Sequence, residues 1–291
     1  MRLGIVGLGL IGGSLGLAVR AARPDVEVLG VARREETAAE AVRIGAAARA
    51  GTGMAALRDA DVVVVAVPLG ATDAVLAELA GALGEGVAVT DVGSVKASVV
   101  ASARRHLDPR RNPFLGGHPM AGKEVGGIEN AEAGLFVGRP WVFTPTDGVA
   151  TKGAAAVGRL PGFREVVADI GAVVQEMTPE EHDRRVALVS HLPFMLSATY
   201  LLAAGGAADW PGAAPLASSG FRDISRLGAG DPAMYAAIVE ANLPAIREAW
   251  EAMSLALAEL ESAFERGEHR HLLELFVRAR QVRQGWEAGR K

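Results

Sequence analysis

The stretch Gly116-Gly117-His118-Pro119-Met120-Ala121-Gly122 sets one imidazole among small residues and a proline. Glycine lets a ligand approach the backbone closely, and proline fixes the chain direction beside the ring. A histidine held in this way is a candidate general acid or base, because its ring changes charge near neutral pH. The same residues also suit a turn whose imidazole is satisfied by a neighbour. Residue types alone leave both readings open.

A second candidate lies at the N-terminus, where "GLGLIG" has the spacing GxGxxG. It follows a short apolar run, "RLGIV", and opens a segment with helical spacing. In that context Gly7 makes the tight turn, Gly9 lets a pyrophosphate reach the backbone, and Gly12 permits close packing of helix on strand. Leu10 and Ile11 then begin the helix, whose free N–H groups attract phosphate. The second strand ends at "GVARRE", where an NAD-binding unit carries an acidic residue about 20 residues past the glycines to hold the ribose hydroxyls. Here Ala32 is followed by Arg33 and Arg34. Two guanidiniums and no carboxylate suit a 2′-phosphate, which favours NADP over NAD. The alternative is a pair of solvated side chains at a helix start.

Three more groups complete the inventory. In "VTDVGSVK", Ser94 and Lys96 follow a strand and fall at the carboxyl edge of the sheet. Ser94 is either a donor to a ligand or the N-cap of the next helix, and Lys96 reads as a surface charge beside it. In "EEHDRRVALVSHLPF", His182 and Asp183 precede a helix that His191 and Pro193 kink. In "SSGFRDISRLGAGDP", Arg222 and Arg226 are four apart on one helix face, suited to a carboxylated ligand or to an ion-pair cluster with Asp223.

The elements that must position these residues change character along the chain. Residues 1–178 read as a doubly wound α/β domain: β-α-β-α-β over the first 70 residues, with further strands at "GVAVTDVG", "FLGGHP", "WVFTPT" and "GAVVQEMT". Residues 179–291 carry helical periodicity only. A chain of 291 residues suits two domains. A net charge of −4 without a basic run gives no reason to expect a nucleic-acid partner. The chain has no cysteine, and its six histidines lack zinc-site spacing, so neither a disulfide nor a metal centre is expected, and the cytoplasm is the expected compartment. The uncharged run from Val186 to Ala208 is long enough to span a bilayer. Ser190, His191, Pro193 and Ser197 interrupt it, so it is expected to be buried in a helical domain or at a homodimer interface rather than in a membrane.

Taken in order, "GLGLIGGSL", "DVGSVK", "GGHPMAG", "EEHD…SHLP" and "SSGFRDISRLGAGDP" resemble the prephenate/arogenate dehydrogenase family of tyrosine biosynthesis, over Leu3 to about Asn242. The resemblance implies a dinucleotide-binding domain followed by a helical dimerisation domain. It implies a small-molecule substrate, a cyclohexadienol that loses hydride from C4 to the nicotinamide and carbon dioxide from C1. His118 would then accept a hydrogen bond from the C4 hydroxyl and take its proton. Ser94 would contact that hydroxyl or hold His118, Arg226 would bind a substrate carboxylate, His191 would shape the site, and Glu124 would be an acidic gating residue. One position departs from the pattern: where prephenate-preferring members read SHLPH, this chain has Phe194. With the arginine pair, that departure resembles the arogenate branch with NADP. The competing readings are another two-domain NADP-dependent dehydrogenase, of the β-hydroxyacid or ketopantoate type, and a non-catalytic dinucleotide sensor. The former type uses a lysine from the helical domain, and here residues 179–291 supply only Lys291.

Overall fold

The computed structural model describes residues 1–123, 125–145 and 159–289. It divides into two compact units, Met1–Leu243 and Pro244–Lys291.

The first unit is built on an eight-stranded sheet in the order β3-β2-β1-β4-β5-β6-β7-β8. The strands are β1 (Arg2–Val6), β2 (Glu27–Val31), β3 (Arg49–Gly51), β4 (Val62–Val65), β5 (Ala88–Asp91), β6 (Phe114–Pro119), β7 (Pro140–Thr144) and β8 (Val173–Glu176). The first six pair in parallel, in the 3-2-1-4-5-6 order of dinucleotide-binding folds. β7 then runs antiparallel to β6, and β8 parallel to β7.

Period-two alternation decides which side chains face which layer. In β4, Val62 and Val64 join one core with Leu3, Ile5, Trp141 and Phe143. Val63 and Val65 join a second core on the opposite face with Leu76, Leu79, Val89 and Val99. Helices cover both faces, which is why this strand reads as an unbroken apolar run. α1 (Leu10–Ala22), α2 (Glu35–Arg43) and α5 (Arg159–Asp169) contribute to the first core, and α3 (Thr72–Ala82) and α4 (Ala97–His106) to the second. The strand β3 escapes the sequence reading because its three residues, Arg-Ala-Gly, carry no apolar period.

After Glu176 the described chain holds no further strand. α6 (Pro179–Val186) starts from a capping box, in which the Thr178 side chain accepts from Glu181 N–H, with Pro179 in the first turn. This start places His182 and Asp183 inside the helix, not before it. A π-turn over Ala187–His191 joins α6 to α7 (Leu192–Gly206). The disturbance expected at His191 and Pro193 therefore takes the form of a widened turn, since Pro193 supplies no N–H to the ladder. The whole segment Pro179–Gly206 is long and apolar enough to cross a membrane. Its apolar residues are not all covered within the chain: Leu188, Val189 and Leu202 are exposed.

α8 (Trp210–Ala213), α9 (Ser219–Ser225) and α10 (Pro232–Ala241) follow. α9 ends at Ser225, and Arg226 opens a 3-10 turn, so the face expected to hold both Arg222 and Arg226 straddles a junction between elements. The second unit is a helical hairpin, formed by the greater part of α11 (Leu243–Glu265) and by α12 (His269–Ala288), with Gly267 in the left-handed region at the turn. Glu259 pairs with His271 and Arg278 across it.

Candidate active site

His118 stands near the end of β6, beyond the last residue of β5, at the carboxyl edge of the sheet where ligands of such folds bind. The glycine loop after β1 opens at the same edge, because β1, β4, β5 and β6 run parallel. Unlike its strand neighbours, His118 is only partly buried.

The ring is held from behind by the helical segment. His118 Nδ1 lies 2.8 Å from His182 Nε2, with the rings edge to face. His182 Nδ1 lies 2.8 Å from Asp183 Oδ1. The Asp183 carboxylate also accepts the Lys96 and Ala97 backbone N–H groups at 2.7 and 2.8 Å. It thereby caps α4 from a distant helix and satisfies donors that open that helix. His182 and Asp183 are both buried.

A second buried polar layer supports the strand itself. Lys96 is fully buried and ion-paired with Asp91, and its ammonium donates to Gly117 O at 2.7 Å. Asp91 in turn accepts from Gly93 N at 2.8 Å and Gly117 N at 3.0 Å. Both backbone groups of Gly117 are thus gripped next to His118. A Cβ at Gly117 would lie 2.6 Å from Asp91 O, so the grip requires glycine.

Burial is the main cause that pulls His118 well below the usual imidazole range, with His182, Lys96 and His191 adding to it. The ring is neutral at neutral pH, as a proton acceptor must be. His191 is pulled down to about 4, again chiefly by burial. Asn242 Nδ2 donates to Asp183 O at 2.9 Å and faces His191 Nδ1 at 3.2 Å. His191 Nε2 is left buried without a hydrogen-bond partner among the described residues.

The sequence matches two family models, "Prephenate dehydrogenase, nucleotide-binding domain" over residues 15–176 and "Prephenate dehydrogenase, dimerization domain" over residues 178–278. This chain belongs to the prephenate dehydrogenase family. It is 31% identical to the prephenate dehydrogenase of Bacillus subtilis (strain 168), over 97% of this chain and 75% of that protein. The crystal structure of Synechocystis arogenate dehydrogenase superposes with a TM-score of 0.83 at 33% identity, covering 98% of this chain and 100% of that one. The prephenate dehydrogenase from A. aeolicus in complex with hydroxyphenyl propionate and NAD+ superposes at 0.86 with 29% identity, covering 98% of each chain.

As a prephenate dehydrogenase family member, the chain is an NAD(P)-dependent oxidoreductase, and its glycine loop fits a dinucleotide. Gly7 has φ +98°, and a Cβ there would meet Ala66 O at 2.3 Å. At Gly12 a Cβ would meet Gly7 O at 2.0 Å, whereas at Gly9 it would meet nothing within 4 Å. Gly9 therefore faces open space at the N-terminus of α1, where no side chain caps the helix. Leu10 and Ile11 form its first turn. Arg33 and Arg34 are exposed just past the end of β2.

The other expected residues of this family member are distributed unevenly. His191 lies with His118 in one polar network. Ser94 is half-buried in the β5–α4 loop, and the partner of His118 Nδ1 is His182. It does not cap α4 either, because Asp183 does so. Lys96, read from sequence as a surface charge, is buried: the loop folds inward to meet Asp91. Phe194 stacks on Tyr235 with 5° between the rings. Arg226 is exposed, and Arg222 reaches Asp223 only at 4.0 Å with both side chains largely in solvent. Glu124 lies outside the described residues. Sequence reasoning missed Asp91, and it left His182, Asp183 and Lys96 without a role in the site. The one available signal was the charged "EEHD" placed against an otherwise apolar helix.

Proposed function

We propose that this chain catalyses the oxidative decarboxylation of prephenate, to 4-hydroxyphenylpyruvate, and/or of arogenate, to tyrosine, with His118 as the proton acceptor. The observation that carries this reading is a neutral, partly exposed imidazole at the carboxyl edge of the sheet. Its Nδ1 is occupied by His182, which leaves Nε2 for substrate.

His118 Nε2 takes the proton of the C4 hydroxyl as the C4–H bond breaks. The C1–carboxylate bond breaks with it, its electron pair enters the ring, and aromaticity is gained as carbon dioxide leaves. When bound, the nicotinamide accepts the hydride from C4. Ser94, near the same edge, donates to the substrate hydroxyl. Arg226 pairs with a substrate carboxylate, His191 helps shape the site from the widened turn, and Glu124 gates it. Gly7, Gly9, Leu10, Ile11 and Gly12 cradle the pyrophosphate, and Arg33 with Arg34 takes a 2′-phosphate, which favours NADP over NAD.

Arogenate is the preferred substrate on the reading of Phe194, whose apolar ring gives no polar contact to a keto-acid side chain. We also place the functional boundary between residues 178 and 179, where the sheet has ended and the Thr178 capping box begins the helical part. The family's dimerisation domain and the exposed apolar residues of the long helix support a homodimer; the cytoplasm is our reading of its compartment, from the cysteine-free sequence.

Initial rates of nicotinamide reduction with prephenate and arogenate, each with NAD and NADP, test the proposal. Turnover of either substrate supports the activity, and arogenate with NADP as the best pair supports both finer assignments. Prephenate with NAD as the best pair overturns the finer assignments, and no turnover in any of the four overturns the activity.

A further inference from the structure

Asp183, His182 and His118 form a chain in which each hydrogen bond dictates the next. The Asp183 oxygens already receive two backbone N–H groups, from Lys96 and Ala97. The nitrogen of His182 that faces them, at 2.8 Å, therefore carries hydrogen. With a single proton on the His182 ring, that proton is the one facing Asp183, and Nε2 of His182 carries the lone pair. That lone pair faces His118 Nδ1 at 2.8 Å, so Nδ1 is the N–H of His118. Its lone pair is then on Nε2, the nitrogen turned away from the scaffold.

We infer that His182 and Asp183 are positioning residues that lock His118 in the tautomer able to accept a proton at Nε2, and that give the charge formed there an outlet. This rests on the proposed role of His118. An unrestrained imidazole samples both tautomers, and only one of them is a base at Nε2. Once Nε2 takes the substrate proton, the Nδ1–H bond of His118 lengthens toward His182 Nε2. If that proton crosses, the N–H bond of His118 is replaced by one on His182, and the positive charge sits beside the Asp183 carboxylate. The groups facing His118 make this outlet useful. Lys96 and His191 both oppose a cation on His118, and Asp91 is already engaged by Lys96. Asp183, reached through His182, is the carboxylate that meets the charge.

Two substitutions separate this role from mere packing. His182→Leu fills space but accepts no hydrogen bond, whereas His182→Gln keeps a side-chain oxygen able to accept from His118 Nδ1. On the full-length protein we expect His182→Leu to lower kcat/KM by at least about tenfold with dinucleotide affinity retained, and His182→Gln to recover most of it. The independent readout is the nitrogen-15 spectrum of histidine-labelled protein without substrate. The His118 Nδ1 signal is expected to be of the protonated type and Nε2 of the bare type in the wild-type protein, with the two converging toward averaged values in His182→Leu. A wild-type spectrum with hydrogen on Nε2 overturns the inference, as does a His182→Leu protein that keeps both rate and tautomer. An inactive wild-type protein with the expected spectrum would instead reject the proposed reaction and leave the tautomer lock standing.

Discussion

Lys96 and Asp91 form an ion pair at 0% and 1% side-chain exposure, directly under the strand residue that precedes His118. Two charges out of water are tolerated here because each has further partners: Gly117 O for the ammonium, and Gly93 and Gly117 N–H for the carboxylate. Removing one member leaves the other uncompensated. Lys96→Met is expected to destabilise the fold by about 3–5 kcal/mol, read as a lowered midpoint in urea unfolding. Asp91→Asn in the same background should recover part of that loss, and a strictly additive double variant would refute the coupling.

His118→Asn should retain dinucleotide binding, followed by fluorescence titration, because the glycine loop lies on other strands. Turnover is expected to fall by about 10²–10⁴. Survival of the rate would remove His118 from the chemistry.

The pH dependence follows from the sign of the histidine shifts. His118 is neutral well below the usual imidazole value, so kcat/KM should hold steady down through pH 6.5 and fall only in more acid solution. An acid limb centred at or above 6.5 would contradict the burial argument.

Stability carries the same sign. His191 has a folded pKa of about 4 against 6.5 in the free side chain, so the unfolded chain binds more protons between those values. Its contribution is present above pH 6.5 and is lost as pH falls toward 4, amounting to roughly 3 kcal/mol over the full window. In thermal melts between pH 7 and 4 the wild type should lose stability relative to His191→Asn, and parallel pH profiles would refute the assignment.

Replacing Arg33 and Arg34 together by alanine should weaken NADP far more than NAD, by about ten- to a hundredfold in KM for a lost charge-assisted contact to phosphate. Equal weakening of both cofactors would assign the arginines to general electrostatics.

Much of the fold was legible because its signals are local. Periodicity marked the strands of the sheet other than β3, and the glycine spacing marked the turn after β1 with its open N-terminus. The change to helical periodicity after Thr178 coincides with the capping box that starts α6. What was illegible has a common cause. Lys96, Asp91, His182 and Asp183 are polar residues whose role depends on burial, and burial is set by what packs over them. A lysine in a loop after a strand looks solvated until the loop turns inward onto Asp91.

The sequence by itself determined the α/β and helical halves, the dinucleotide loop and the candidate histidine, since backbone propensity, side-chain period and glycine geometry act over a few residues. Only the tertiary structure decided what stands behind that histidine. His118 and His182 are 64 residues apart, and Lys96 and Asp183 are 87 apart. The packing of α6 against α4 and β7, the neighbour of β6, brings them within hydrogen-bond distance. Hydrogen bonds of this reach are fixed by the packed core beneath them, so no local pattern in the chain announces them.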